Sequence, residues 1–253
     1  MNGTPIRAAV AALLLGAVAT LAGTPGWAAE NVEVESADGF VLRATYYAGA
    51  PQGPAILLLH QCNLDRTAWG PLAGRLSAAG FHVMALDFRG FGDSVGGEVR
   101  EFHDQRDELW PTFPADVDAA LDALLRRPGV RKDAIGLVGA SCGGSQELLL
   151  ARRQPRVASL VFLSTSLPWI DETTRTEYLR DADPPILAIA SEDDRGSADT
   201  ARALFEGSRN GQSRLVLYKG RDHGVPLFDR DPDLQSTIVD WFERTLPAPA
   251  ASR

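Results

Sequence analysis

Residues 134–153 read AIGLVGASCGGSQELLLARR, and this stretch decides the fold. Ala134–Ala140 is a continuous apolar run, as in a strand buried on both faces of a sheet. From Gly143 the pattern becomes helical and ends in Arg152 and Arg153, cations suited to the negative end of a helix dipole. Between strand and helix stands Gly139-Ala140-Ser141-Cys142-Gly143-Gly144. A hydroxyl and a thiol therefore share the tip of a strand-to-helix turn. If Ser141 is at the tip, its small flanks are Gly139 and Gly143; if Cys142 is, they are Ala140 and Gly144. Both registers let two backbones approach closely, so spacing alone leaves the nucleophile open.

The surrounding chain repeats the strand–helix alternation. NVEVES and VLRATYY alternate apolar and polar residues around Asp38-Gly39, which predicts an antiparallel hairpin. Buried strands are predicted at 55–60, 81–88, 157–164, 184–191 and 213–220. Helices are predicted after Trp69, over 114–127 with Val117, Leu121, Leu124 and Leu125 on one stripe, over 197–208, and near the end with Leu234, Ile238, Trp241 and Phe242. Residues 89–110 are polar and Gly-rich and read as a long surface loop. The fold class is α/β: a mostly parallel eight-stranded sheet with helices on both faces, in a single domain over 29–253.

In open α/β sheets, chemistry collects at the carboxyl ends of the strands. Four ends carry reactive groups: His60-Gln61-Cys62, Ser141-Cys142, Glu192-Asp193-Asp194 and Asp222-His223. A hydroxyl, a carboxylate and an imidazole thus fall on one rim, in the chain order Ser, Asp, His.

That order on this pattern resembles the α/β-hydrolase superfamily over nearly the whole chain after residue 28. LVGASCGG is similar to its G-x-S-x-G nucleophile elbow, and LLLHQCN to its oxyanion loop. RGFGDS resembles its RGxGxS turn, PILAIASEDD its acid strand and DHG its histidine loop. The compact chain, with too few residues between Ser164 and Pro185 for a large lid, looks most like the dienelactone-hydrolase branch. Members of that branch use Cys at the elbow. Here the paired glycines around 141, a further glycine at 144, and the oxidation-prone nature of an exported thiolate favour Ser141. The resemblance implies His223 as general base and Asp194 as the acid; Asp193 competes, because Ser191 stands where the family pattern has Gly. It implies oxyanion donors at the backbone N–H groups of Cys142 and Cys62, with Gln61 in place of the usual Gly.

The only two cysteines in the chain, Cys62 and Cys142, thus fall on the two expected donors. Two readings stay open: a disulfide across the oxyanion hole, or two half-buried thiols. His60 and His82 read as structural, His103 as a solvated loop residue, and Asp222 as a turn residue. Phe102, Trp110, Phe113 and Trp169 are candidates to wall the pocket or simply to pack down a loop. Arg89-Gly90 reads as shaping a turn. No histidine has metal-ligand spacing to another, so neither metal nor cofactor is expected.

The implied activity is a serine hydrolase that cleaves a carboxylic ester, thioester or lactone through an acyl-enzyme. The alternatives are a small peptidase of the prolyl-oligopeptidase type and a non-catalytic ligand-binding homologue. The expected partner is a small-molecule ester. The formal net charge of −8 gives no electrostatic reason to hold nucleic acid or an anionic membrane. Residues 1–28 have one early cation, Arg7, a short apolar run from Ala8, and small residues Gly26 and Ala28 before a cleavage point. This is the layout of a signal peptide, and it predicts a periplasmic or secreted protein with no integral span after cleavage.

Overall fold

A computed structural model describes residues 29–95, 102–167 and 184–246, together with 170, 173, 176 and 177. The expected signal peptide, residues 1–28, lies outside the described residues. Among the described residues no helix is long and apolar enough to cross a membrane.

Eight strands form one sheet: β1 Ala29–Glu35, β2 Val41–Tyr47, β3 Gly53–Leu59, β4 His82–Leu86, β5 Val130–Ala140, β6 Val157–Leu163, β7 Ile186–Ser191 and β8 Arg214–Tyr218. Their spatial order is β1-β2-β4-β3-β5-β6-β7-β8. The β1–β2 and β2–β4 pairs are antiparallel. Every later pair is parallel, from β3–β4 to β7–β8. The alternating side chains of β3 show why its run is apolar throughout. Ala55, Leu57 and Leu59 enter the core on one face of the sheet, and Ile56 and Leu58 enter the core on the other.

The helices are α1 Gly70–Ala78, α2 Phe102–Leu109, α3 Phe113–Leu125, α4 Cys142–Arg153, α5 Arg195–Gly207, α6 Leu227–Arg230 and α7 Leu234–Thr245. Apolar stripes of α3, α4 and α5 fill one face. Leu72 and Leu76 of α1 fill the other, together with Leu234, Ile238, Trp241 and Phe242 of α7. The expected eight-stranded α/β architecture is therefore present.

Part of the expected surface loop 89–110 is instead helical, as α2. Its sequence FHDQRDEL has too few apolar residues to show a stripe, so periodicity could not reveal it. The turn before it is built around Asp87, which is fully buried. Asp87 pairs with Arg66 and accepts the backbone N–H groups of Arg66 at 2.7 Å and Asp93 at 2.9 Å. Arg89 shapes the turn as expected, with its guanidinium on Asp116 at 2.7 Å and over the Phe40 ring at 4.3 Å.

One buried group on α4 sets a stability gradient with pH. Glu147 is fully buried, and burial pushes its carboxyl well above the usual range, although the Val161 N–H donates to it at 2.9 Å. Below about pH 4 both folded and unfolded chains hold this proton, and the site costs nothing. As pH rises, the unfolded carboxyl ionises first. Stability then falls by up to about 1.4 kcal/mol per pH unit until the folded group also ionises. Glu147→Gln keeps the acceptor for Val161 and removes the titration. The variant's melting temperature should exceed wild type by more at pH 8 than at pH 5; a pH-independent difference would contradict this origin.

Candidate active site

The site is built where α4 starts over the end of β3. Gly139 and Gly143 are there because no side chain fits. A Cβ at Gly139 would stand 2.6 Å from the carbonyl carbon of Gly143 and the Cα of Gly144. A Cβ at Gly143 would run into the carbonyl oxygens of Leu59 and His60. This close crossing forces the turn. Ser141 has φ 50° and ψ −116°, a left-handed conformation that costs an ordinary residue on the order of 1–3 kcal/mol. Its amide donates to the Leu163 carbonyl at 3.0 Å. The strained tip is residue 141, and Cys142 is the first residue of α4. The register left open by spacing is thereby resolved: the flanking glycines belong to Ser141.

Cys142 and Cys62 form a disulfide, with Cα atoms 5.9 Å apart and a separation of 80 positions in sequence. Of the two open readings, two free thiols or a cystine, the structure has the cystine. By loop-closure entropy a cross-link of this span stabilises by about 4 kcal/mol. Cys142 is 1% exposed, while Cys62 is half-buried. As the first residue of α4, Cys142 has an N–H with no intrahelical acceptor, one of the orphan donors every helix start carries.

Across the rim, the His223 Nδ1–H donates to Asp194 Oδ2 at 2.6 Å. Asp194 immediately precedes α5, and its carboxylate goes to the imidazole rather than capping its own helix. The dipole of α5 favours negative charge at that position. Asp193 is exposed and offers its backbone N–H to the Gly220 carbonyl at 2.9 Å, so of the two candidate acids the structure brings Asp194 to the histidine. Asp222 turns away to Arg230 at 2.8 Å. The His223 side chain is 38% exposed.

The other histidines differ in environment. His60 is fully buried, with Nδ1 donating to the Gln61 carbonyl at 2.8 Å and Nε2 accepting the Phe88 N–H at 3.1 Å. Burial lowers its pKa, and that bonding pattern belongs to the neutral ring. His82 is likewise lowered by burial and accepts the Gly49 N–H at 3.1 Å. Both are structural. The side chains of His103 and Phe102, and Trp169 altogether, lie outside the described residues. Phe113, a candidate pocket wall, is fully buried and stacks on Phe88 at 4.7 Å, so it belongs to the core. Trp110 packs against it at 5.8 Å, half-buried.

Three side chains gained no role from the sequence. Gln61 accepts the Val225 N–H through Oε1 at 2.9 Å and donates to Asn63 at 2.7 Å, tying the loop after β3 to the histidine loop. Ser191 donates to the Asp222 carbonyl at 2.7 Å, from the end of β7. Ser197 donates to the Ser164 carbonyl at 3.0 Å and lies 3.4 Å from His223 Nδ1. Only the first two had any signal: each replaces a glycine of the family pattern.

Taken as a set, the end of β3 is tied to that of β5 by the cystine and to the loop after β8 by Gln61, and the end of β7 is tied to that same loop by Asp194 and Ser191. Residue 141 neighbours the cystine, the cystine neighbours Gln61, and Gln61 holds the loop carrying His223. The arrangement can orient an imidazole in one tautomer, and the start of α4 carries N–H groups that can face an anion.

Known proteins resemble this chain in sequence and in fold. A thiohydrolase of Aspergillus aculeatus is 29% identical over 228 residues, covering 86% of this chain. The chain spans 64% of that relative's length. The Escherichia coli protein YfhR is also 29% identical, over 87% of this chain and 82% of its own. Among solved structures, a dienelactone hydrolase from Anabaena variabilis superposes with a TM-score of 0.70 at 19% identity, covering 87% of this chain and 98% of that one. The family description "alpha/beta hydrolase fold" matches residues 54–188, more than half of the chain, and the chain belongs to that family.

Proposed function

We propose that this protein is a serine hydrolase that cleaves a carboxylic ester or thioester through an acyl-enzyme on Ser141. The observation that carries the reading is the 2.6 Å bond from His223 Nδ1–H to Asp194. It leaves Nε2 as the nitrogen for the Ser141 hydroxyl, the tautomer a general base needs. In this reading His223 takes the Ser141 proton as Oγ attacks the acyl carbon. The oxyanion collects on the backbone N–H groups of Cys142 and Cys62. The imidazolium, held against Asp194, then protonates the leaving alcohol or thiol. Water repeats the cycle on the acyl-enzyme, with His223 again the base. The name of the thiohydrolase relative supports including thioesters beside oxygen esters.

Two experiments test the chemistry. A fluorophosphonate probe should label wild type, and Ser141→Ala should abolish labelling and lower kcat by at least about 10⁴-fold. Undiminished labelling of that variant would remove Ser141 from the reading. Asp194→Asn should cost about 10³–10⁴-fold in kcat, because the amide presents N–H to Nδ1 and favours the wrong tautomer. Asp193→Asn, at the exposed neighbour, should stay near wild type; the reverse ranking would make Asp193 the acid.

We propose further that the enzyme acts outside the cytoplasm, as the layout of residues 1–28 suggests. The cystine is in keeping with an oxidising compartment. N-terminal sequencing of protein recovered from the periplasm or medium should begin at Ala29; a chain retained in the cytosol and starting at Met1 would refute export.

A further inference from the structure

We infer that the Cys62–Cys142 cystine is the positioning device of the oxyanion hole, and that the enzyme is active only when it is oxidised. The inference rests on the serine-hydrolase reading above and concerns the regulation of that same site.

The argument starts from where the sulfurs are attached. Each cysteine carries one of the two N–H groups assigned to the oxyanion, so a single covalent bond sets the spacing of the donors. The two segments arrive from different strands, β3 and β5, and their other ties are one-sided. On the α4 side, Gly143 rests against the Leu59 and His60 carbonyls, which fixes the helix start against the end of β3 but stops short of residue 62. On the loop side, Cys62 sits inside a tight turn closed by the Leu64 N–H to the Gln61 carbonyl at 3.0 Å. The Gln61 side chain leads away from α4, to Val225. Cys62 also packs against the core to which α4 contributes Leu148 and Leu150, but the covalent bond between the turn at 62 and the start of α4 is the cystine.

Reduction changes that spacing. A dithiol delivers two electrons and two protons; the sulfur–sulfur bond breaks, two thiols form, and the reductant closes to its own disulfide. Two unbonded sulfurs at van der Waals contact stand about 1.5 Å further apart than bonded ones. The turn at 62 has to yield, because α4 is fixed by Gly143 and by the core. A shift of about 1 Å in a donor is enough to cost on the order of 100-fold in rate. The effect falls on transition-state charge, so kcat drops while KM holds. Cys62 is half-buried, which gives a soluble reductant access to one sulfur. In a reducing cytosol the newly made chain would then be inert towards cellular acyl esters; after export, thiol–disulfide exchange with a disulfide oxidant, which takes up the two electrons and two protons and is itself reduced to two thiols, would form the cystine and switch it on.

The test uses the full mature chain and p-nitrophenyl acetate. The oxidised protein is reduced with dithiothreitol, desalted under argon, and checked for two titratable thiols and an unchanged circular dichroism spectrum. We expect kcat to fall about 10–100-fold with KM within about twofold, and reoxidation to restore it. The Cys62→Ala/Cys142→Ala double variant should match the reduced enzyme and ignore reductant. Full kcat in the folded, fully reduced enzyme overturns the inference, and so does activity lost only in step with the dichroism signal. If the double variant fails to fold, the reduction–reoxidation cycle on the wild-type chain decides alone. The two readings fail differently. An oxidised enzyme that a fluorophosphonate does not label defeats the serine-hydrolase reading, whereas one that labels equally well before and after reduction defeats only the redox dependence.

Discussion

Backbone meets backbone where α4 starts over the end of β3, and the rest of the site depends on that contact. Gly143 lies against the carbonyls of Leu59 and His60, and Gly139 against Gly143 and Gly144. With no Cβ at either glycine the helix comes close enough to turn the chain at 141 through a conformation serine seldom adopts. The strain is held by a large surround. β5 is flanked by β3 and β6, and Leu148 and Leu150 of α4 are fully buried. A residue in such a turn stands clear of its own helix and strand, which is what a nucleophile needs. The same turn leaves the first amides of α4 without intrahelical acceptors, so the hydroxyl and these amides arise from one piece of geometry.

Environment then sorts the ionisable groups. Four histidines are present, and the two that sit on or beside buried strands are held neutral by burial and by accepting backbone N–H groups. His223 instead lies on a loop with its side chain 38% exposed and its Nδ1 on the Asp194 carboxylate. Glu147 is the counterpart among the acids. It lies on α4, and burial pushes its carboxyl well above the usual range, which disfavours the negative charge there.

Much of this was legible in the sequence, because the strongest signals are local. A continuous apolar run is a buried strand wherever it occurs, and small residues two on either side of a serine announce a close crossing. Strand ends bearing Ser, Asp and His in that order mark the rim of the sheet. What escaped was weakly periodic or non-local. The helix 102–109 has a charged sequence with no stripe, so its pattern matched a loop. Phe113 read as a loop aromatic because the start of α3 could not be told from the loop before it; in the fold it stacks on Phe88 in the core. The choice between two thiols and a cystine needed a Cα separation that spacing along the chain cannot give.

The two departures from the family's glycine pattern carry a lesson of their own. Gln61 and Ser191 each stand where a glycine was expected, and taken singly each weakened the assignment of its neighbour. In the fold both reach the same short segment: Gln61 bonds Val225, and Ser191 bonds Asp222. The segment 222–225 is thus held from β3 on one side and β7 on the other, with His223 between the two anchors. Gly224 supplies the bend: it has φ 71°, and a Cβ there would collide with the Gln61 amide. A side chain added at residue 61 therefore demands its absence at 224, a pairing across 163 positions of chain that neither stretch reveals alone. With its loop held at both ends, the His223 ring is oriented at Nδ1 by Asp194 at 2.6 Å, with the Ser197 hydroxyl 3.4 Å from the same nitrogen.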